Sequence, residues 1–438
     1  MKMEYDMLHD NLAVNERSHL TIAGADTTEL ADRYGTPLYV MDEARIRANM
    51  QTYIGAMQKH FGGGSRPLFA SKSLSCKRIY EIAREEGMGI DVVSAGELYT
   101  AHISGFPLEN AFFHGNNKTP EEISLGLDLG IGYFVVDNEY ELEEISNQAA
   151  ARGVTQKILL RITPGIDPHT HAKITTGNVD SKFGSPIVTG QAEAIVARAL
   201  STDNVELFGY HCHIGSQIFD IDPFCDAADI MLEFSASMRD KLSFEAKIVN
   251  LGGGFGVRYV EEDPKIDIEK NIEEISYHIN NSCVKLGLAR PDIYMEPGRS
   301  IVADAGLTLY TSGGVKTIDG FRSYVPIDGG MPDNPRYALY QSSYTVVNAS
   351  HADREPDMIA TIAGKCCESG DLIGEGMKIA TPERGDIVAT LVTGAYNYSM
   401  SSNYNKICRP AIVMISPEGK DYVAVERETL ADLVRFDR

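Results

Sequence analysis

Basic residues are scarce in this chain. Lysine and arginine number 40 against 62 aspartates and glutamates in 438 residues, a formal net charge of −22. A surface this acidic is repelled by phosphate backbones and anionic lipid, which argues against nucleic acid and membrane as partners. No run of about 18 apolar residues occurs, so no membrane-spanning helix is expected. Cysteine is sparse and unpatterned: Cys76, Cys212, Cys225, Cys283, Cys366, Cys367 and Cys408 make an odd set with irregular spacing and no C-x-x-C. A disulfide framework and a cysteine-based zinc module are therefore not expected, and a reducing compartment, most simply the cytoplasm, is. The opening Met1 to Asp10 is polar and slightly acidic, unlike a signal or transit peptide. Internal repeats and low-complexity tracts are also missing. What remains is a globular composition, 43 % hydrophobic and 23 % charged, at a length that predicts two domains.

Two textures follow one another. From about Arg66 to Ser300, short β-branched runs alternate with helical or loop stretches. The runs are Pro67–Ala70, Gly89–Val93, Ala111–His114, Tyr133–Val136, Lys157–Ile162, Val205–Cys212, Lys247–Leu251 and Ile293–Met295. Ser94-Ala95-Gly96-Glu97 and Thr119-Pro120-Glu121-Glu122 read as capping boxes, the second with proline at the first helical position. A helix starting near Asp42 carries Ile46, Met50, Tyr53 and Met57 on one face. This pattern predicts a closed (β/α)8 barrel over 41–300, with an open doubly wound sheet as the alternative. After Ser300 the helical period stops. Tyr324–Ile327, Tyr344–Val347, Met358–Ala363, Ile387–Val392 and Ala411–Ile415 read as strands, with a short helix near Glu428–Arg435. Residues 301–438 thus predict a β-rich second domain, which the polar, extended segment 1–40 is expected to join.

In a barrel, chemistry gathers at the C-terminal ends of the strands. The polar residues there are Lys72, Asp91, His114, Asp137, Arg161, His213, Gly252-Gly253-Gly254, Glu296 and Arg299. A lysine, imidazoles, a glycine turn and a carboxylate at one mouth suit an anionic aromatic cofactor held over a Schiff-base lysine. Against a low-dielectric wall Lys72 would lose proton affinity and become a nucleophilic amine; taken alone it reads first as an ordinary solvated strand-end lysine. The triple glycine lets backbone amides approach a phosphate, or is simply a tight turn; it fails the dinucleotide fingerprint. His211 and His213 alternate on one strand face, as His169 and His171 could, but no cysteine or carboxylate set of clear geometry accompanies them, and no metal is expected. Glu296 could keep a pyridine nitrogen protonated, or close a surface turn with Arg299. Cys367-Glu368 in a Ser-Gly-Asp turn suits a thiol acid beside a recognising carboxylate better than a core position.

With these motifs in place, the chain resembles the diaminopimelate decarboxylase family, of the alanine-racemase-fold (fold type III) class of pyridoxal-phosphate enzymes. The likeness runs from about Leu20 to the C-terminus. Its residues are Ala70-Ser71-Lys72, Asp91 to Ser94, His114 to Lys118, Ser181 to Gly184, His211 to Gln217, the triple glycine and Glu296 to Arg299. Asp328 to Met331, Arg336 to Tyr340, Cys367 to Asp371, Gly394 to Tyr396 and Ser399 to Asn405 complete it. The resemblance implies a Schiff base between Lys72 and pyridoxal 5'-phosphate, with His213 stacked on the ring and Glu296 at its nitrogen. It puts Ser216, Gly254, Arg299 and Tyr396 around the phosphate, with Asp91, Gly253 and Gly298 also at the cofactor. Arg299, Arg336, Tyr340, Glu368 and Tyr396 match substrate-contacting positions. Cys367 would donate the proton that replaces the carboxylate, reaching in from the partner of a homodimer with shared active sites. The implied reaction converts meso-2,6-diaminopimelate to L-lysine and CO2, the last step of lysine biosynthesis.

Phe69 and Ser73 depart from the usual tyrosine and alanine beside the lysine, and Tyr337 stands where proline is common. None removes a reacting group, though Tyr337 puts the geometry of Arg336 in question. The closest rival is a decarboxylase of another basic amino acid such as ornithine, lysine or arginine. A racemase fits less well, since that branch resembles a set with arginine at the pyridine nitrogen. A non-catalytic cofactor-binding regulator is disfavoured by the retention of both Lys72 and Cys367.

Overall fold

The structure, a computed structural model, describes residues 8–165 and 181–438. His169 and His171 lie outside the described residues. The chain divides into two units: Met50–Gly256 with Ile266–Gly298, and the chain up to Asn49 with Val257–Lys265 and Arg299–Arg438.

The first unit is built on eight parallel strands, β1 (Arg66–Ala70), β2 (Gly89–Val92), β3 (Ala111–Phe113), β4 (Tyr133–Val136), β5 (Gln156–Thr163), β6 (Val205–His211), β7 (Ile248–Asn250) and β8 (Asp292–Met295). Each pairs with the next, and β8 pairs back onto β1 through Tyr294↔Arg66 and Met295↔Pro67. That last pairing closes the barrel and sets the open-sheet alternative aside. Helices follow the first seven strands, among them Ala95–Ile103 after β2 and Pro120–Asp128 after β3. Thr119 and Glu122 form the full reciprocal capping box. The other expected box is half made: Ser94 Oγ accepts from the Glu97 N–H, but the Glu97 carboxylate turns to the Val93 N–H instead. The four apolar residues read onto the helix Glu43–His60 are all buried.

Leu68, Phe112, Val135, Leu159, Ile248 and Tyr294 fill the barrel, each such burial contributing ~1.5–3 kcal/mol for an aliphatic or aromatic side chain. The strands change character at their C-terminal ends. Arg161, His211 and Asn250 stand level with one another in the ladder, as do Ala70 and Asp91. An apolar plug thus carries a polar layer at the end where the loops begin.

The second unit holds a six-stranded sheet in the order Val346–Asn348, Ile387–Leu391, Gly306–Thr311, Leu38–Asp42, Ala411–Ile415, Asp421–Val425. A four-stranded sheet runs Lys316–Ile318, Arg322–Pro326, Met358–Ala363, Leu372–Ile379. Tyr310, Val325, Ile362, Ile373 and Val388 join the two in one core. Two expectations need correction. The opening segment is not simply extended: Asp26 caps a helix at Thr27–Tyr34, its carboxylate accepting from the Thr28 and Glu29 N–H groups. The helix expected near Glu428–Arg435 is one 3-10 turn, Asp432–Val434, with no buried residue to hold a longer one.

Candidate active site

Lys72 sits in a one-turn 3-10 helix, Ser71–Ser73, directly after β1. Both serines are buried and Lys72 itself is exposed. Buried carboxylates stand near it. Asp91 is buried, accepts the Ser71 N–H at 3.2 Å, and is pushed up to about 7 by burial and by Glu296, with Lys72 opposing. Glu97 is likewise raised to about 7 by burial and by Asp91.

Glu296, just past β8, is buried among donors. Oε1 accepts from Asn250 Nδ2 at 2.7 Å and lies 2.9 Å from His114 Nε2, and Oε2 lies 3.1 Å from His211 Nε2. Burial favours the neutral carboxyl, but the two imidazoles outweigh it and hold Glu296 well below the usual carboxylate range. The surface Glu296–Arg299 turn is thereby excluded. His211 pairs with His114, with ring centroids 4.7 Å apart edge to face. The strand ends at His211, so the alternation that sequence spacing assumes stops there. His114, His211 and Glu296 do bring three ligand-type atoms within 4.8 Å of one another. The carboxylate that seemed missing beside the histidines is therefore present in space. Cys212 between them is buried, its thiol pushed up to about 12, a poor thiolate ligand. His213 is half-buried, its imidazole pushed well below its ordinary value by burial and then by Lys72.

The three glycines are demanded by the close approach of strand ends. A Cβ on Gly252 would lie 2.6 Å from the Cys212 carbonyl oxygen, on Gly253 2.0 Å from that of Glu296, and on Gly254 2.7 Å from that of Gly215. Gly254 is also at φ +124°, where side chains are strained. The loops after β6 and β7 are zipped together here, Ile218 N–H to Gly254 O and Gly256 N–H to Ile218 O at 2.9 Å each. Ser216 lies within that paired stretch. Gly298 has no room either, since its Cβ would meet Ala70 Cβ at 2.7 Å.

The second unit gathers another set. Arg299 is buried, donates to Tyr259 Oη at 2.7 Å, and lies 4.8 Å from the Tyr396 ring centroid. Arg336 lies 5.3 Å from the same ring and 5.2 Å from that of Tyr340. Tyr396 adopts φ 66°, a left-handed conformation costly for tyrosine and typical of functional positions. Arg336 is buried; it contacts Ser342 Oγ at 3.4 Å, its Nε has no hydrogen-bond partner, and no ion pair reaches it among the described residues. Tyr337 turns away to Glu375 at 2.8 Å, so its departure from proline leaves Arg336 in the tyrosine cluster. Cys367 and Glu368 are exposed on one loop. Asp371 pins that loop, accepting the Cys366 N–H at 2.7 Å and the Met331 N–H at 2.5 Å, while the Cys367 N–H donates to Asn405 Oδ1 at 2.9 Å. All seven cysteines are free.

A family model described as "Pyridoxal-dependent decarboxylase, pyridoxal binding domain" matches residues 44–303. The diaminopimelate decarboxylase of Bacillus subtilis (strain 168) is 44 % identical over 430 residues, 98 % of each chain. The crystal structure of diaminopimelate decarboxylase from M. jannaschii in co-complex with L-lysine superposes with a TM-score of 0.89 at 36 % identity, covering 98 % of both chains. That from Helicobacter pylori complexed with L-lysine gives 0.85 at 29 % identity, covering 94 % of this chain and 99 % of that one.

The chain belongs to the diaminopimelate decarboxylase family. Its cofactor is pyridoxal 5'-phosphate, and the residues present fit that group. The paired glycine loops offer a side-chain-free cradle of the kind that suits phosphate. Glu296 has about four acceptor positions; Asn250 and His211 take two and His114 Nε2 lies 2.9 Å away, which leaves room for a ring N–H. Lys72, His213, Glu296, Arg299, Arg336 and Tyr396 stand out in the sequence, whereas Asn250, Tyr259 and Asp371 carry no role there. Asn250, two residues before the glycine turn, carried a weak signal; Tyr259 carried none.

Proposed function

We propose that this chain decarboxylates meso-2,6-diaminopimelate to L-lysine and CO2, the last step of lysine biosynthesis, as a cytoplasmic homodimer with shared active sites. The observation that carries the reaction is the 44 % identity, over 98 % of both chains, to an enzyme of that name. Pyridoxal phosphate would supply an electron-withdrawing ring and an aldehyde held by a lysine amine; once the substrate's amine displaces that amine, the ring would draw electrons from the substrate's α-carbon and the carboxylate would leave as CO2. Lys72 supplies that amine from the turn after β1. His213 would lie against the cofactor ring, and Ser216, Gly254, Arg299 and Tyr396 would hold the phosphate, with Gly253 also at the cofactor. Glu296 would accept a hydrogen bond from the ring N–H and keep that proton on the nitrogen by its charge. Cys367 delivers a proton from Sγ to the α-carbon. Glu368, beside it, meets a substrate ammonium.

Arg336 favours this substrate over a simple diamine precursor. Ornithine, lysine and arginine have one carboxylate each, the one that is lost. Diaminopimelate keeps a second, and a buried guanidinium with no ion-pair partner among the described residues is what such a distal carboxylate would match bidentately. The test is to incubate the holoenzyme with meso-diaminopimelate, its LL isomer, lysine, ornithine and arginine, and to identify products. L-lysine and CO2 from the meso isomer alone are expected. Faster release of CO2 from ornithine or arginine would replace this reading with the rival one.

A further inference from the structure

The proposed chemistry gives Glu296 a task but none to the three residues gathered on it. His114 follows β3, His211 ends β6, Asn250 ends β7, and all are buried. Asn250 is fixed from both sides: its Nδ2 donates to Glu296 Oε1 at 2.7 Å and its Oδ1 accepts the Gly252 N–H at 2.9 Å, so a flip of the amide would break both bonds. Burial lowers His114 and takes His211 to about 3, so at neutral pH each ring is uncharged. An uncharged imidazole can face a carboxylate favourably only through an N–H, which places the proton of His211 on Nε2, 3.1 Å from Glu296 Oε2. Nothing here requires a cation, because Asn250 and His211 hydrogen-bond the carboxylate and His114 Nε2 lies 2.9 Å from it.

We propose that His211 and His114 are positioning residues for the decarboxylation: with Asn250 they hold Glu296 ionised and oriented, with an acceptor position free for a ring N–H, and so make the site selective for a protonated ring nitrogen. The inference rests on the reading of Glu296 as the partner of that nitrogen. Without the imidazole donors a buried carboxylate would take up a proton itself and cease to favour a charged ring.

The decisive comparison uses two cofactors, pyridoxal phosphate and its deaza analogue with carbon in place of the ring nitrogen. Affinity is read by absorbance titration of the cofactor-stripped protein, independently of turnover. His211→Leu should weaken pyridoxal phosphate binding roughly tenfold or more, as expected for a charge-assisted hydrogen-bond network, while leaving affinity for the deaza analogue within about twofold. His211→Gln, which restores an N–H donor, should recover most of the loss. His114→Leu and His114→Gln provide a second pair should one leucine variant fold poorly. In the holoenzyme the leucine variants should lower kcat with KM little changed. Equal loss for both cofactors, or no loss for pyridoxal phosphate, would overturn the proposal. Wild-type protein that binds both cofactors equally would instead overturn the assignment of Glu296 to the ring nitrogen. The substrate panel is a separate matter: selective loss of pyridoxal phosphate affinity stands whichever amino acid is consumed.

Discussion

Cys366 and Cys367 are neighbours in sequence and chemically unlike. Cys366 is half-buried, and its thiol is pushed up to about 12 by burial and by Asp371. Cys367 is exposed, with its backbone tied to Asn405. If Cys367 is the proton donor, Cys367→Ala should retain cofactor absorbance and lose roughly 10²–10⁴-fold in turnover, the range for a positioned general acid. Cys366→Ala should keep turnover within a few fold. Steady-state rates at saturating substrate decide it, and the reverse ranking would move the acid to Cys366. At this scale much was legible. A lysine after an apolar strand, a carboxylate before Pro-Gly-Arg and a cysteine in a polar turn are each out of place, and unusual residues announce themselves. His211 was visible too, but was weighed as a metal ligand with His213. Its partners Glu296 and His114 come from strands remote in the chain, and only barrel closure brings them together.

Elements were legible where the physics is local. The eight barrel strands came within two residues at each end, because buried parallel strands read as β-branched runs. The second unit hid Gly306–Thr311, Leu372–Ile379 and Asp421–Val425. Leu372–Ile379 carries two glycines and two charges and pairs through a register shift, so neither run nor alternation marks it. Asp333, in the turn before Arg336–Tyr340, offers a test of how such an element is held. It is buried, accepts from Tyr310 Oη at 2.5 Å and from the Gly330 N–H at 3.0 Å, and burial pushes it up to about 7. A carboxyl raised on folding binds its proton more tightly in the native state. Its stabilising contribution is full below the unfolded value near 3.8 and declines as pH rises toward about 7. Asp333→Asn should remove that dependence, so the variant gains on the wild type between about pH 4 and pH 7. Urea unfolding of both proteins at several pH values measures the difference. A difference that does not change with pH would show that Asp333 titrates normally.

At the scale of the whole molecule, the acidic chain offers few grounds for binding other polyanions, and no helix among the described residues is long and apolar enough to cross a membrane. The proposed partner is a second copy of itself. Glu368 follows Cys367 on one exposed loop, so whichever subunit supplies the acid also supplies the neighbouring carboxylate. Lys72 stands on a different unit of the chain. In a homodimer with shared sites, each site takes Lys72 from one subunit and Cys367 from the other. Lys72→Ala and Cys367→Ala homodimers then carry two defective sites each. In a heterodimer of the two, one site receives both substitutions and the other receives neither. Random exchange of equal amounts should therefore restore activity to about a quarter of the sites, as two-fold symmetry requires. Exchange is checked independently by mixing differently tagged subunits, and activity is read as lysine formed. Complete exchange with no recovered activity would mean that lysine and thiol act from the same chain, and a site complete within one subunit would take the place of the shared one.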